Sequence, residues 1–415
     1  PAAEAMATRE RQANWCRLFN EEGDRRRGTT VNRAIGACTA LIRAGHEGTL
    51  DLARSYIYRA GAYRAKGDGT RAAADFEAAM ARGRPNAEAY VLRGTVYSML
   101  GEGGKAVADL DEAIRMGPPS AERFARRGII HIRNGDARLA VADFDEALRL
   151  KPGHAPALAG RANAYIGLVV TTESEELLAR ALADANAAIR LDPAMPRAFV
   201  IRGAIHAFNG EPHRAIEDFD AAIRLDPNRA GAYLGRANVL WATGRPQPAM
   251  RDYDMAIRLD PRDAQAYADR GRAHTDAGSE ILAIRDFDIA IGLDPGDADL
   301  FFHRAYAKRR RGNSFGAVDD YGEAIRLRPD FFEALMARAS LYATRGSLYN
   351  ALPDVSAAIR LRPTHAGALC YRGDIQSAIG FRDAALADYR AALKADPGNA
   401  CARGALNAQP GKGGR

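Results

Sequence analysis

Ala215-Ile216-Glu217-Asp218-Phe219-Asp220-Ala221-Ala222-Ile223-Arg224-Leu225-Asp226-Pro227 is the stretch that decides how this 415-residue chain folds. Ile216, Phe219 and Ile223 recur at helical spacing, which predicts an amphipathic helix with a single apolar stripe. Gly210 breaks a helix ahead of it and Asp226-Pro227 ends this one, so the unit is a helical hairpin. The closing proline returns every 34 residues, at Pro193, Pro227, Pro261, Pro295, Pro329, Pro363 and Pro397. A unit of that length is too short to bury a core alone, so many units must stack against one another.

Working outward, ten units fall in register over about residues 53 to 399. They begin at Ala53, Ala87, Ala121, Ala155, Pro196, Ala230, Ala264, Ala298, Phe332 and Ala366. Alanine holds position twenty of all ten: Ala72, Ala106, Ala140, Ala181, Ala215, Ala249, Ala283, Ala317, Ala351 and Ala385. With units reading Ala232-Tyr233-Leu234-Gly235-Arg236-Ala237 through Tyr253-Asp254-Met255-Ala256-Ile257-Arg258-Leu259-Asp260-Pro261, the chain resembles the tetratricopeptide repeat family in its bacterial form. The resemblance implies an all-α fold, a right-handed superhelical solenoid of antiparallel helix hairpins, with the first helix of each hairpin lining a concave groove.

Several segments depart from the pattern. The first unit has Arg84 where proline usually sits, with Pro85 one place later. The fourth unit carries seven extra residues around Leu168 to Glu175, about two helical turns, which extend both arms of the hairpin or form a protruding loop; extension is the preferred reading. Residues 1 to 52 are read as a tail and a degenerate capping hairpin, with a helix near Trp15 to Phe19 and a second over Ala34 to Arg43. Residues 400 to 415 begin another first helix and then give way to the disordered-looking Gln409 to Arg415. So short a cap would leave apolar surface on the last unit and favour end-to-end association.

Position seven, commonly leucine in the family, is arginine throughout: Arg59, Arg93, Arg127, Arg161, Arg202, Arg236, Arg270, Arg304, Arg338 and Arg372. Position twenty-three is always aspartate: Asp75, Asp109, Asp143, Asp184, Asp218, Asp252, Asp286, Asp320, Asp354 and Asp388. A hairpin brings the middles of its helices together, which predicts an arginine–carboxylate ladder within or between units, held by two hydrogen bonds per pair. The competing reading is an anion-binding stripe. The net charge of +7 invites the same thought about nucleic acid, with Arg25 to Arg27 and Lys308 to Arg311 as the basic clusters. No aromatic residues alternate with them as stacking platforms, which argues against nucleic acid as a partner.

Enzymatic chemistry finds no support. His131, His206 and His274 share position eleven, a packing position, and no His-Glu-x-x-His or Cys-x-x-Cys motif occurs, so neither a metal nor a cofactor is expected. Gly101-Glu102-Gly103-Gly104-Lys105 lacks the strand and the hydroxyl residue of a phosphate loop and falls at the hairpin turn. Cys16 with Cys38, and Cys370 with Cys401, lie on neighbouring helices at the two ends, where disulfides would staple a fraying array; the other reading is four reduced core residues. Disulfides would suit an oxidising compartment such as a bacterial periplasm, and the polar start at Pro1 leaves export open. No run approaches eighteen apolar residues, so membrane insertion is not expected.

Positions two, five, nine, twelve and thirteen of the first helices should face the groove. There the chain places Ile57, Val91, Ile129, Ile132, Asn163, Val200, Phe208, Leu234, Asn238, Trp241, Phe302, Tyr306 and Met336. Trp241 and Phe302 are large residues at positions the core does not require, and Asn163 and Asn238 could bond an extended peptide backbone. Position five never carries lysine, which argues against a clamp for acidic chaperone tails. The expected function is a non-catalytic scaffold holding a protein or peptide segment through apolar anchors. The alternative, anion or nucleic-acid binding through the basic clusters, would be steeply salt-dependent.

Overall fold

The computed structural model describes Cys16 and residues 28–45, 49–82, 86–172 and 174–408. Arg25 to Arg27, the helix expected near Trp15, Arg84 with Pro85, and the tail from Gln409 lie outside the described residues. The chain divides into two compact units, Pro1–Asp226 and Pro227–Arg415.

The first unit holds α1 (Gly28–Arg43), α2 (Thr49–Ala65), α3 (Gly69–Arg82), α4 (Ala87–Met99), α5 (Gly103–Met116), α6 (Ala121–Arg133), α7 (Ala137–Leu150), α8 (Ala155–Thr172), α9 (Glu175–Leu191), α10 (Pro196–Phe208) and α11 (Pro212–Leu225). The second holds α12 (Ala230–Ala242), α13 (Pro246–Leu259), α14 (Ala264–Asp276), α15 (Glu280–Leu293), α16 (Ala298–Arg310), α17 (Ser314–Leu327), α18 (Phe332–Thr344), α19 (Leu348–Leu361), α20 (Ala366–Ala378), α21 (Arg382–Ala395) and α22 (Ala400–Asn407). In each unit the helices pack as sequential hairpins, α2 with α3 through α10 with α11 and α12 with α13 through α20 with α21. The fold is all-α, an array of repeated hairpins.

Local chemistry sets the helix ends. The Ala89 and Ala402 N–H groups donate to the side chains of Asn86 and Asn399, at 2.9 and 3.0 Å, satisfying helix-start donors that have no partner within the helix. The first helices other than α8 and α22 close on glycine in the left-handed region. Gly210, at φ 71°, lets its own N–H reach the Ala207 carbonyl (3.1 Å) while the Glu211 N–H reaches that of His206 (2.8 Å). Gly101 makes the same turn, so Gly101 to Lys105 is a hairpin bend followed by the start of α5.

Small residues allow the close approach. The ten alanines at position twenty are all 2% exposed or less, and the ring four residues later, as in Phe76, Phe144, Phe219 and Phe287, is fully buried behind them. Facing these rings the first helix often has glycine. A Cβ on Gly128 would come within 2.9 Å of the Phe144 ring, and one on Gly160 within 2.4 Å of it. In the fourth hairpin α8 and α9 run for 18 and 17 residues, against 13 and 14 in α10 and α11.

Candidate functional site

The arginine–aspartate ladder is present in all ten hairpins. Arg270 is representative: Nε donates to Asp286 Oδ2 at 2.8 Å and Nη2 to Oδ1 at 2.7 Å, a two-point pair. The same fork joins Arg59 to Asp75, Arg93 to Asp109, Arg127 to Asp143, Arg161 to Asp184, and Arg202 to Asp218. It continues from Arg236 to Asp252, Arg304 to Asp320, Arg338 to Asp354, and Arg372 to Asp388.

The remaining guanidinium nitrogen often reaches back to the preceding hairpin. Arg127 Nη1 donates to Asp111 (2.6 Å), Arg161 to Asp145 (2.7 Å), Arg270 to Asp254 (2.7 Å) and Arg304 to Asp288 (2.7 Å). The Asp286 hydrogen bond dominates in raising the Arg270 pKa, against the opposing cost of burial. Every arginine of this row is already held by a carboxylate, so the row is structural and offers no free anion stripe.

Position eleven brings a further basic side chain near several of these carboxylates. His131 Nε2 lies 3.6 Å from Asp143, His206 Nε2 3.8 Å from Asp218 and His274 Nε2 3.9 Å from Asp286. Burial pushes the His274 pKa down. Lys308 stands at the same position and its Nζ is 2.8 Å from Asp320. Sequence reasoning missed this, although the histidine register was the available signal.

The basic run is therefore largely engaged. Arg310 pairs with Glu280 at 3.1 Å and donates to the Thr275 carbonyl at 2.8 Å, while Arg309 sits over the Tyr306 ring. Lys308 to Arg310 serve the fold, leaving Arg311 exposed at the turn.

The residues expected to face a ligand sort into three kinds. In the first unit Phe208 is 54% exposed, on the same face of α10 as the half-buried Val200 eight residues earlier. Ile129 and Ile132 of α6 are half-buried and pack against the core below them, as does Ile57 of α2; Asn163 of α8 is half-buried too. Val91 is a correction: at 5% exposure it sits among Ala60, Phe76 and Leu110 as core, because the neighbouring hairpin closes over it.

In the second unit Tyr306 of α16 is 37% exposed, and Leu234, Met336 and Trp241 are half-buried, with Trp241 Nε1 3.4 Å from Asp276. Phe302 is drawn into packing against Phe331, Tyr321 and His303, with ring centroids 4.9, 5.6 and 5.4 Å away, so it serves the core as well as the surface.

Asn238 is exposed on α12, and both its side-chain polar atoms are engaged. Its Nδ2 donates to Asp269 Oδ2 (2.8 Å) and its Oδ1 accepts from the Tyr253 hydroxyl (2.7 Å). Asp269 is 4% exposed and also accepts from Gln265 Nε2 (2.6 Å) and from Arg272. A buried carboxylate requires such donors, and Asn238 is recruited for that task before any ligand.

Both cysteine pairs are bonded: Cys16 to Cys38 with Cα atoms 5.0 Å apart, and Cys370 to Cys401 with Cα atoms 6.4 Å apart. The second tethers α22 to α20. Among the described residues no helix is long and apolar enough to cross a membrane.

A family model described as Tetratricopeptide repeat matches residues 59–121, 174–230, 205–261, 234–298 and 302–366, more than half of the chain. A search of curated proteins returns no match. Among solved structures, a monomeric IFIT1 mutant with Gppp-AAAA is similar at a TM-score of 0.56 and 14% identity, covering 86% of this chain and 93% of that one. A tetratricopeptide repeat protein from Parabacteroides merdae is 22% identical at a TM-score of 0.43, covering 58% and 93%. YrrB, described as a TPR protein with an unusual peptide-binding site, is 24% identical at a TM-score of 0.35, covering 47% and 97%.

Proposed function

This chain belongs to the tetratricopeptide repeat family, whose members are typically non-catalytic scaffolds for protein–protein interaction, and from that premise we propose that it holds a peptide or protein segment along the open faces of its first helices. The observation that carries the proposal is Phe208, 54% exposed on the same helix face as Val200, where the hairpin core makes no use of it. Tyr306 and the half-buried Trp241 supply comparable anchors in the second unit. A few such rings in water-excluding surroundings dominate the affinity of peptide recognition. The ladder beneath serves as a support: each first helix's arginine is committed to the aspartate of its own hairpin, and four of them reach the preceding hairpin as well.

Selection of a displayed random-peptide library on the full chain tests the reading. Selected peptides are expected to bind equally at low and high salt, and to weaken at least tenfold on Phe208→Ala or Trp241→Ala with helicity unchanged. Peptides indifferent to both substitutions would refute it. Binding that collapses with salt would point to charge as the attraction, because counterion release makes such complexes steeply salt-dependent.

A further inference from the structure

The C-terminal end of the second unit carries side chains that the repeat does not call for. Cys370 stands at position five of the last hairpin and Asp374 at position nine; no other hairpin has cysteine at the one or aspartate at the other. Four residues apart, the two share one face of α20. The first turn of α22 brings Cys401 against that face. One ligand atom from each, two sulfurs and a carboxylate oxygen, all lie within 4.8 Å of one another. Among the described residues no other three His, Cys, Asp or Glu side chains converge in this way. No sequence motif announces the group, because its third member comes from a separate helix.

The surroundings suit a set of metal ligands. Cys370 is 1% exposed, in the same core cluster as Leu369 and Ala402, while Asp374 and Cys401 open to solvent. The Tyr389 hydroxyl donates to Asp374 Oδ1 at 2.9 Å, which leaves Oδ2 toward the sulfurs, 3.5 Å from Cys401 Sγ. An outer hydrogen bond of this kind fixes the orientation of a metal-binding carboxylate. The ladder aspartates are all paired with arginine, but no lysine or arginine is paired with Asp374 among the described residues.

The Cα atoms of Cys370 and Cys401 are 6.4 Å apart. Two thiolates on one tetrahedral zinc ion stand ~3.8 Å from each other, a separation that side-chain rotation reaches from these Cα positions. Thiolates select zinc over magnesium or calcium, and three protein ligands leave a fourth position for water on the exposed side.

We propose that in the reduced chain Cys370, Asp374 and Cys401 bind one zinc ion, which clips α22 to α20 as the disulfide does in the oxidised chain. A dithiol reductant gives the disulfide two electrons and two protons and leaves as a disulfide itself. Zinc then takes both sulfurs as thiolates and releases the two protons to solvent. The last helix is thereby held to the array in either redox state.

Cys16→Ser/Cys38→Ser, whose only cysteines are Cys370 and Cys401, isolates the pair in the full chain. Reduced with a phosphine and dialysed against zinc without oxygen, it is expected to bind one ion per chain, and with cobalt to show thiolate charge-transfer and tetrahedral d–d absorption. The oxidised protein should bind none, and Asp374→Asn in the same background should bind at least ~10-fold more weakly, with circular dichroism unchanged. In reduced wild type, which needs no substitution, zinc should restore the hydrogen-exchange protection of α22 that reduction removes. No stoichiometric binding by the reduced chain, binding indifferent to Asp374→Asn, or no recovery of α22 in wild type would overturn the proposal. So would one ion shared between two chains in sedimentation, or equal uptake after Cys370→Ser/Cys401→Ser is added, which would put the metal elsewhere.

Discussion

Arg338→Ala removes one rung of the ladder at a place where no second cation is paired with the aspartate among the described residues. Asp354 accepts from Arg338 Nε at 2.8 Å and Nη2 at 2.7 Å, with side-chain exposures of 22% for the arginine and 7% for the aspartate. Removing the arginine leaves a buried carboxylate without its cation, a change that costs about 3–5 kcal/mol. The equivalent change at Arg304 is milder. There Asp320 keeps Lys308, whose Nζ is 2.8 Å away, so the loss is that of a charged hydrogen-bonded contact, roughly 1.5–3 kcal/mol. Asp354→Ala should also cost less than Arg338→Ala, because a long guanidinium left alone can turn toward water and a short buried carboxylate cannot. The double variant should recover part of the loss. Repeat arrays do not unfold in one step, so the assay is native-state hydrogen exchange read separately on α18–α19 and α16–α17, with urea unfolding in support. Equal costs at Arg338 and Arg304, or a larger cost at Arg304, would refute the reasoning that a second cation shares the load.

Tyr321 is fully buried and its hydroxyl has no hydrogen-bond partner among the described residues, while Phe76, Phe144, Phe219 and Phe287 fill the same position without one. Tyr321→Phe should therefore stabilise the second unit by ~1 kcal/mol in urea unfolding. Burial raises the pKa of Tyr321 to about 12, so the folded state favours the neutral phenol; its contribution is full below the ordinary tyrosine pKa near 10 and is lost as pH rises toward 12. The Phe variant should show a shallower alkaline loss of stability over that window. Gly128→Ala should destabilise by ~1–3 kcal/mol, because the Phe144 ring is confined between Gly128 and Gly160; Gly36→Ala, with nothing within 4 Å of the added carbon, should stabilise α1 by up to ~1 kcal/mol. Thermal unfolding of the pair compares the two signs. Cys370→Ser/Cys401→Ser, which removes this bond and keeps Cys16–Cys38, should raise hydrogen exchange in α22 and at the α20–α21 end while leaving the first unit unchanged, since the bond spans 31 residues at one end.

Sequence alone determined the hairpins, their order and the ladder. A register repeated ten times leaves little choice about which residues meet: arginine at position seven and aspartate at twenty-three stand at the middles of facing helices, and a hairpin can only bring them together. The buried alanines at position twenty were legible for the same reason. Other features needed the neighbours in place. Val91 and Phe302 share a register position with exposed or half-buried residues such as Val200, yet adjacent helices close over the one and aromatic rings gather the other. Asn238 looked available until the buried Asp269 was found to need its amide, and Lys308 looked like part of a free basic run until Asp320 came within 2.8 Å of it. Burial and pairing belong to surroundings contributed by the next hairpin, whose side chains are not implied by the period. Asp374 makes the same point: the letter was visible from the start, but only the packing of α22 on α20 brings its carboxylate within 4.8 Å of the Cys370 and Cys401 sulfurs.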